Sequence, residues 1–349
     1  MGAVQNIPRL LPAKNSALAR RDVLAALGAL AVFPGSAVAQ DSGGSGGMKH
    51  IGVLMPISES DPQAADLGAV FRQAMEELGW VGGRNLSVDY KWAGGDAHRI
   101  ATLAEQMVAT SPDAILAGGA PVVAPLKAAT ATIPIVFISA SDPIGQGFVP
   151  DLSHPGGNIT GFTNFDPSMG GKWLGLLKEI APALKHAAVL YNPVTAPYVS
   201  SFLRSVDDAA PALGVAVDDV QLQEGGDIEP AIAAVAKKGD GGLLLPSDVF
   251  TLNHAGDVVA LANQYRVPAI YAFRVIAVNG GLVAWGVDLG DQLRLAAKYI
   301  DRILSGTAPG DLPVLQPTRF TLTINKRAAT SIGLTLPPAL LARADEVIE

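Results

Sequence analysis

Short apolar runs rich in β-branched residues alternate along this chain with stretches whose apolar positions recur every third or fourth residue. His50–Met55, Asp113–Ala117 and Ile135–Ile138 read as strands buried on both faces, and Leu86–Trp92 alternates apolar with polar as a half-buried strand does. Between them Leu67, Val70, Phe71, Ala74 and Leu78 form one face of a helix that Gly79 ends, and Asp96 caps a second with Ile100, Leu103, Ala104 and Met107 inward. Gly118-Gly119-Ala120-Pro121 turns into a third helix over 122–130. A polar loop, the turn Pro155-Gly-Gly-Asn158 and β-type sequence at Ile159–Thr163 close the series. A second series then begins. Trp173, Leu176, Leu177 and Ile180 share a helix face, and strands are predicted at 187–191, 215–217, 242–245, 269–271 and 282–285. Helices from Ala196, from Ile228, over 258–265 and near Val275 intervene. A helix over 291–305, a strand at Phe320–Ile324, a short helix and the stretch 339–345 finish the chain. This order predicts an α/β protein of two Rossmann-like lobes with parallel sheets. The lobes are expected at 49–162, completed by about 288–316, and at 163–287, completed by about 318–349.

The 349 residues exceed one comfortable core, which agrees with two lobes. The first residues are not part of the fold. Arg20-Arg21 precedes the apolar run Val23–Phe33 and the small residues ending Ala37-Val38-Ala39, the order of an export signal cleaved before Gln40. Residues 1–39 are therefore expected to be a leader and 40–48 a flexible linker; the apolar run is too short to span a bilayer. The Arg pair leaves Sec and twin-arginine routes both open. Net charge is −7, and the leader carries Arg9, Lys14, Arg20 and Arg21 against Asp22 alone, so the mature chain is more acidic still. That balance argues against nucleic acid or an anionic membrane as partner. There is no cysteine to carry a lipid, a disulfide or a thiol nucleophile. A soluble monomer in the periplasm is the expectation.

In open α/β sheets, ligands sit beyond the carboxyl ends of the strands. That singles out Pro56-Ile57-Ser58, Gly119-Ala120-Pro121 and Ser139 to Asp142 in the first lobe. In the second it singles out Asn192-Pro193, Ser247-Asp248 and Tyr271 to Arg274, with Tyr198 and Phe250 on the following loops. The glycines have a plain explanation as turn formers and the aromatics as packing wedges. Alternatively, backbone N–H groups before the Pro121 helix meet an anionic group, Asp142 receives an ammonium or hydroxyl, and the aromatics face a partly apolar ligand.

Taken in order, Ile51-Gly-Val-Leu, Glu77-Leu-Gly-Trp-Val-Gly-Gly-Arg-Asn85, Ser141-Asp-Pro-Ile, Pro155-Gly-Gly-Asn-Ile-Thr-Gly161, Tyr191-Asn-Pro and the tail Leu336–Asp345 closely resemble the ABC-transporter substrate-binding family that includes tryptophan-binding TrpX-like proteins. The resemblance runs from about Lys49 to the end. It implies a type I periplasmic binding fold, two lobes joined by a three-strand hinge that starts at Gly161–Thr163, closing on a small molecule for an inner-membrane ABC permease. By position it puts the pocket at Gly119, Ala120, Pro121, Ser141, Asp142, Asn192, Ser247 and Asp248; Ser58, Tyr198 and Tyr271 join them as strand-end candidates. Tyr271-Ala-Phe-Arg274 departs from the Ser/Asp-type residues of amino-acid binders, which leaves an amino acid, an aromatic and a carboxylate-bearing compound all open.

Two alternatives compete: a ligand sensor for a receptor kinase on the same fold, and an enzyme. For the enzyme there is no G-x-G-x-x-G after the first strand, no Walker A and no H-E-x-x-H. His50, His98, His154, His186 and His254 lack metal-ligand spacing, and the G-x-S-x-G at Gly43, Ser45 and Gly47 has neither strand nor helix around it. No catalytic residue, metal or cofactor is expected.

Overall fold

The computed structural model describes residues 47–349 except 165 and 167. The leader expected at 1–39, and the expected 40–48 linker up to residue 46, lie outside the described residues. The first lobe is built from β1 (Lys49–Met55), α1 (Pro62–Glu77), β2 (Leu86–Trp92), α2 (Ala97–Ala109), β3 (Ala114–Gly118), α3 (Ala120–Ala129), β4 (Ile135–Ala140) and β5 (Ile159–Thr163). Aspartates start the first two helices: Asp61 accepts the Gln63 N–H (2.8 Å), and Asp96 accepts those of His98 (2.8 Å) and Arg99 (3.1 Å). The strands lie parallel in the order β2-β1-β3-β4-β5. Each crossover carries a helix except the last, where the polar loop 141–158 makes the connection.

The second lobe follows with α4 (Met169–Ile180), β6 (His186–Tyr191), α5 (Val199–Leu213), β7 (Ala216–Gln221), α6 (Ile228–Ala236) and β8 (Gly241–Leu245). Next come α7 (Val249–Asn253), α8 (Ala255–Gln264), β9 (Ala269–Tyr271), α9 (Arg274–Val278) and β10 (Val283–Gly286). The chain then returns to the first lobe as α10 (Leu289–Leu304). It re-enters the second as β11 (Thr321–Asn325), α11 (Lys326–Ser331), α12 (Pro338–Arg343) and β12 (Glu346–Ile348). The second sheet has the order β12-β11-β10-β9-β8-β6-β7. Its β11 is antiparallel to β10, so this sheet is mixed rather than parallel throughout. The reason is the route: β10 leaves the lobe at its carboxyl end, and the chain comes back from that same end.

Each sheet is covered on both faces. In the first lobe Phe71, Met75, Leu293, Ala297 and Ile300 cover Ile51, Leu116 and Val136, while Ile100, Met107, Val122 and Leu126 cover Leu54, Ile115 and Phe137. In the second, Trp173, Phe202, Ala328 and Leu340 lie on one side and Ile232, Val258 and Ile276 on the other. The chain passes between lobes after Thr163, after Gly286 and between Leu315 and Thr321. The first and last passages are tied by the Leu315 N–H to the Gly161 carbonyl (3.0 Å) and the Thr163 N–H to the Leu315 carbonyl (2.9 Å). Strands β1–β5 of the first sheet and β6–β10 of the second point their carboxyl ends at the space between the lobes, and β11 and β12 run the other way. No helix among the described residues is long and apolar enough to cross a membrane.

Candidate functional site

Between the lobes lies a chamber continuous with solvent. From the first lobe come Met55, Pro56 and Ile57 after β1, Gly119, Ala120 and Pro121 where β3 turns into α3, and Ile138, Ser139, Ser141 and Gln146 at and beyond the end of β4. The second lobe supplies Thr195 and Tyr198 after β6, Ser247, Val249 and Leu252 after β8, and Phe273 and Val275 after β9. The walls are mostly apolar, with a patch of hydroxyl and amide groups. Among the described residues no Lys, Arg, Asp or Glu lines this chamber. The wider outer groove carries charges, among them Asp61, Asp66, Arg274, Asp288 and Arg294, together with Ser58.

One polar cluster joins the two lobes across this space. Asn164, the first residue after β5, donates from Nδ2 to Ser139 Oγ (3.1 Å) and Ser247 Oγ (2.8 Å), and its Oδ1 accepts the Ser141 hydroxyl (2.7 Å). Tyr198 donates its hydroxyl to the Ser247 carbonyl (2.6 Å) and also interacts with Ser141. Burial pushes the Tyr198 phenol well above its ordinary range, so it stays a neutral donor. Ser139 holds a left-handed backbone (φ 56°), a conformation that costs free energy in a non-glycine residue and that clusters at binding sites. Gln146 Nε2 donates to the Ser141 carbonyl, fixing the loop after β4.

Of the positions expected from sequence, Gly119, Ala120, Pro121, Ser141, Tyr198 and Ser247 line the chamber, and Ser58 lies on the outer groove. Three others stand behind its wall. Asp142 accepts the Gly145 N–H (2.9 Å) within its own loop. Asn192 accepts the N–H groups of Val194 (2.9 Å) and Thr195 (3.2 Å) through Oδ1. Asp248 caps α7: it accepts the N–H groups of Phe250 (3.0 Å) and Asn192 (2.9 Å) and the Thr195 hydroxyl. Burial raises the Asp248 carboxyl above the usual carboxylate value, against the pull of those donors.

Tyr271 requires a correction. It is 1% exposed and packs in the core with Ile276 and Ala277, because as the last residue of β9 it still projects onto a covered face of the sheet and not off the strand's end toward the cleft. Phe273, two residues on, is the ring that reaches the chamber. Asn164 was absent from the sequence candidates. Its signal was a lone amide directly after the predicted hinge strand, with no helix cap or turn to account for it.

A sequence profile described as ABC transporter substrate binding protein matches residues 50–348. A protein of Clostridioides difficile described as "Tyrosine-binding protein" is 27% identical over 288 residues, 82% of this chain and 81% of that one. A domain from Streptococcus pneumonia solved in complex with L-Trp superposes with a TM-score of 0.78 at 26% identity, covering 86% of this chain and all of that one. A conserved domain protein from Vibrio cholerae also gives 0.78, at 30% identity, over 86% of this chain and 99% of its own.

Proposed function

Because the chain belongs to the ABC transporter substrate-binding protein family, with the type I periplasmic binding fold, we propose that its solute is a small molecule with an apolar, aromatic-type body and a hydrogen-bonding head, aromatic amino acids foremost. The observation that carries this reading is the chamber itself, whose apolar walls come from both lobes and surround a small patch of hydroxyls and amides. Burying an aromatic body there contributes about 25 cal/mol per Å² of apolar area removed from water. Ser141, Ser247 and Tyr198, with the Ala120 N–H at the start of α3, suit a carboxylate or carbonyl head. Similarity to a tyrosine-binding protein and to a domain crystallised with L-Trp supports the amino-acid form. The absence of charged lining residues supports a neutral aromatic as the second form, since an ammonium would be desolvated without a counter-ion.

Under this reading Gly119, Ala120, Pro121, Ser141, Tyr198 and Ser247 touch the solute. Ser58 stands at the entrance, and Asp142, Asn192 and Asp248 hold the loops that present the others. The protein is exported by the leader at 1–39, works in the periplasm as a monomer and hands its solute to an inner-membrane ABC permease. Capture is a population shift: contacts from both lobes exist only in the closed form, so binding favours closure by its differential affinity.

The test is a thermal-shift series with L-tryptophan, L-tyrosine, L-phenylalanine, neutral aromatic amides, and L-glutamate and L-lysine as charged, non-aromatic comparators. A ligand at a hundredfold over its Kd stabilises by about 2.7 kcal/mol, which should raise Tm by about 5 °C in a chain of this size. A shift with L-glutamate or L-lysine and none with the aromatics would overturn the proposal.

A further inference from the structure

The lobes also touch at the open side of the cleft, away from the Asn164 cluster. Gly95 lies in the first lobe, in the loop between β2 and α2. The Gly94 N–H donates to the Ile57 carbonyl (3.0 Å) and the Gly95 N–H to the Pro56 carbonyl (2.6 Å), so this loop is fastened to two residues of the chamber wall. Facing it is Asn253, the last residue of α7 in the second lobe, directly after the chamber residue Leu252. A Cβ at position 95 would fall 2.7 Å from Asn253 Cγ and 2.9 Å from its Oδ1, closer than non-bonded atoms approach. With a side chain at 95, Asn253 would have to turn its amide aside for the two lobes to meet here.

We propose that Gly95 and Asn253 form the closing contact at the mouth of the cleft, and that the missing Cβ at 95 determines how tightly solute is retained, without either residue touching it. This rests on the reading that the lobes close over a solute. Two costs of a side chain at 95 must be kept apart. Gly95 has φ of 79°, so any other residue strains its own backbone, but that strain is the same in open and closed forms and leaves their ratio unchanged. The collision with Asn253 exists only in the closed form. It lowers the closed fraction, and apparent affinity falls by the same factor.

The chain has no cysteine, so an introduced pair reports on this contact alone. Asn253 Cβ is one bond from the Cγ that lies 2.7 Å from the Cβ position at 95, so the two Cβ atoms are at most about 4.2 Å apart, inside the upper limit of a disulfide. The Gly95→Cys/Asn253→Cys protein, without added solute, is expected to cross-link under mild oxidant, which takes up the two electrons, losing two hydrogen atoms by mass, migrating faster on a non-reducing gel and giving a smaller radius of gyration than its reduced form. No cross-link, with both thiols open to maleimide and an unaltered circular dichroism spectrum, would overturn the proposal even if aromatics bind. In the second arm, with L-tryptophan as probe, Gly95→Ala is expected to weaken binding by about two- to tenfold, the cost of turning the Asn253 amide aside, and adding Asn253→Ala to restore most of it. Unchanged affinity in Gly95→Ala, or a loss that Asn253→Ala does not relieve, would overturn it too. If L-tryptophan binds none of the proteins, the ligand proposal fails for that probe and the cross-link alone decides the contact.

Discussion

Three donors converge on the Asp248 carboxylate: the N–H groups of Asn192 and Phe250 and the hydroxyl of Thr195. An anion buried this deeply persists because each donor offsets part of its lost hydration. The outcome is structural, since Asp248 fixes the start of α7 and the turn after β6, and those place Ser247, Val249, Thr195 and Tyr198 at the chamber. Asp248→Asn keeps the shape and must turn an NH₂ toward one of these donors. It should cost about 1–3 kcal/mol, measured by urea unfolding, and loosen the second-lobe wall. A change within error would mean that the carboxylate is dispensable to this wall.

At the scale of elements, the three-residue strand β12 depends on charge more than on burial. Its Glu346 receives two hydrogen bonds from the Arg274 guanidinium (2.6 and 2.5 Å), reaching from the end of β9 to the sheet edge. The preceding Asp345 accepts the Leu322 N–H (2.9 Å) and that of Arg319 (2.9 Å). Arg274 holds the Glu346 carboxyl below its usual value, and the Leu322 N–H, followed by Arg319, does the same for Asp345. Both folded values lie below the unfolded ones. The stabilisation is therefore complete above the ordinary carboxylate range and is lost as pH falls through the folded values. The β12 amide that faces β11 should lose hydrogen-exchange protection at about pH 3 relative to about pH 6, while β8 and β9 keep theirs. Equal protection at both pH values would show that the strand is held by packing alone.

For the whole molecule, the returning tail is integral to the second lobe. Leu322, Ile324, Ala328, Ala329 and Leu340 are buried with Trp173, Ile180, Leu282 and Val283 in one core. Ending the chain after residue 317 would leave that core open on one side, whereas α10 and Leu312 would still complete the first lobe. Such a protein should bind a hydrophobic dye and lose cooperative melting in the second lobe while amides of β1 and β3 remain protected. A single sharp melting transition near that of the full chain would contradict this division.

Much of this architecture is legible in the residues themselves. The β-branched runs at Ile51–Met55, Ile115–Ala117 and Ile135–Ile138, spaced by faces such as Leu67-Val70-Phe71-Ala74, determine alternating strands and helices, because burial on both faces and a 3.6-residue period leave distinct patterns. Order then puts the strand-end polar residues on one side, which is why Gly119, Ser141, Tyr198 and Ser247 could be named from sequence. Other features depend on partners distant in the chain. Phe273 rather than Tyr271 reaches the chamber because β9 ends at Tyr271, two residues before its apolar run does, and β11 is antiparallel because of the path taken through the other lobe. Asn164 meets Ser247 across 83 positions, and Gly95 meets Asn253 only when the lobes come together. A sequence records what each segment prefers beside its neighbours. Only the tertiary structure decided which preferences meet across the cleft, because that contact is made by lobe placement and not by any local pattern.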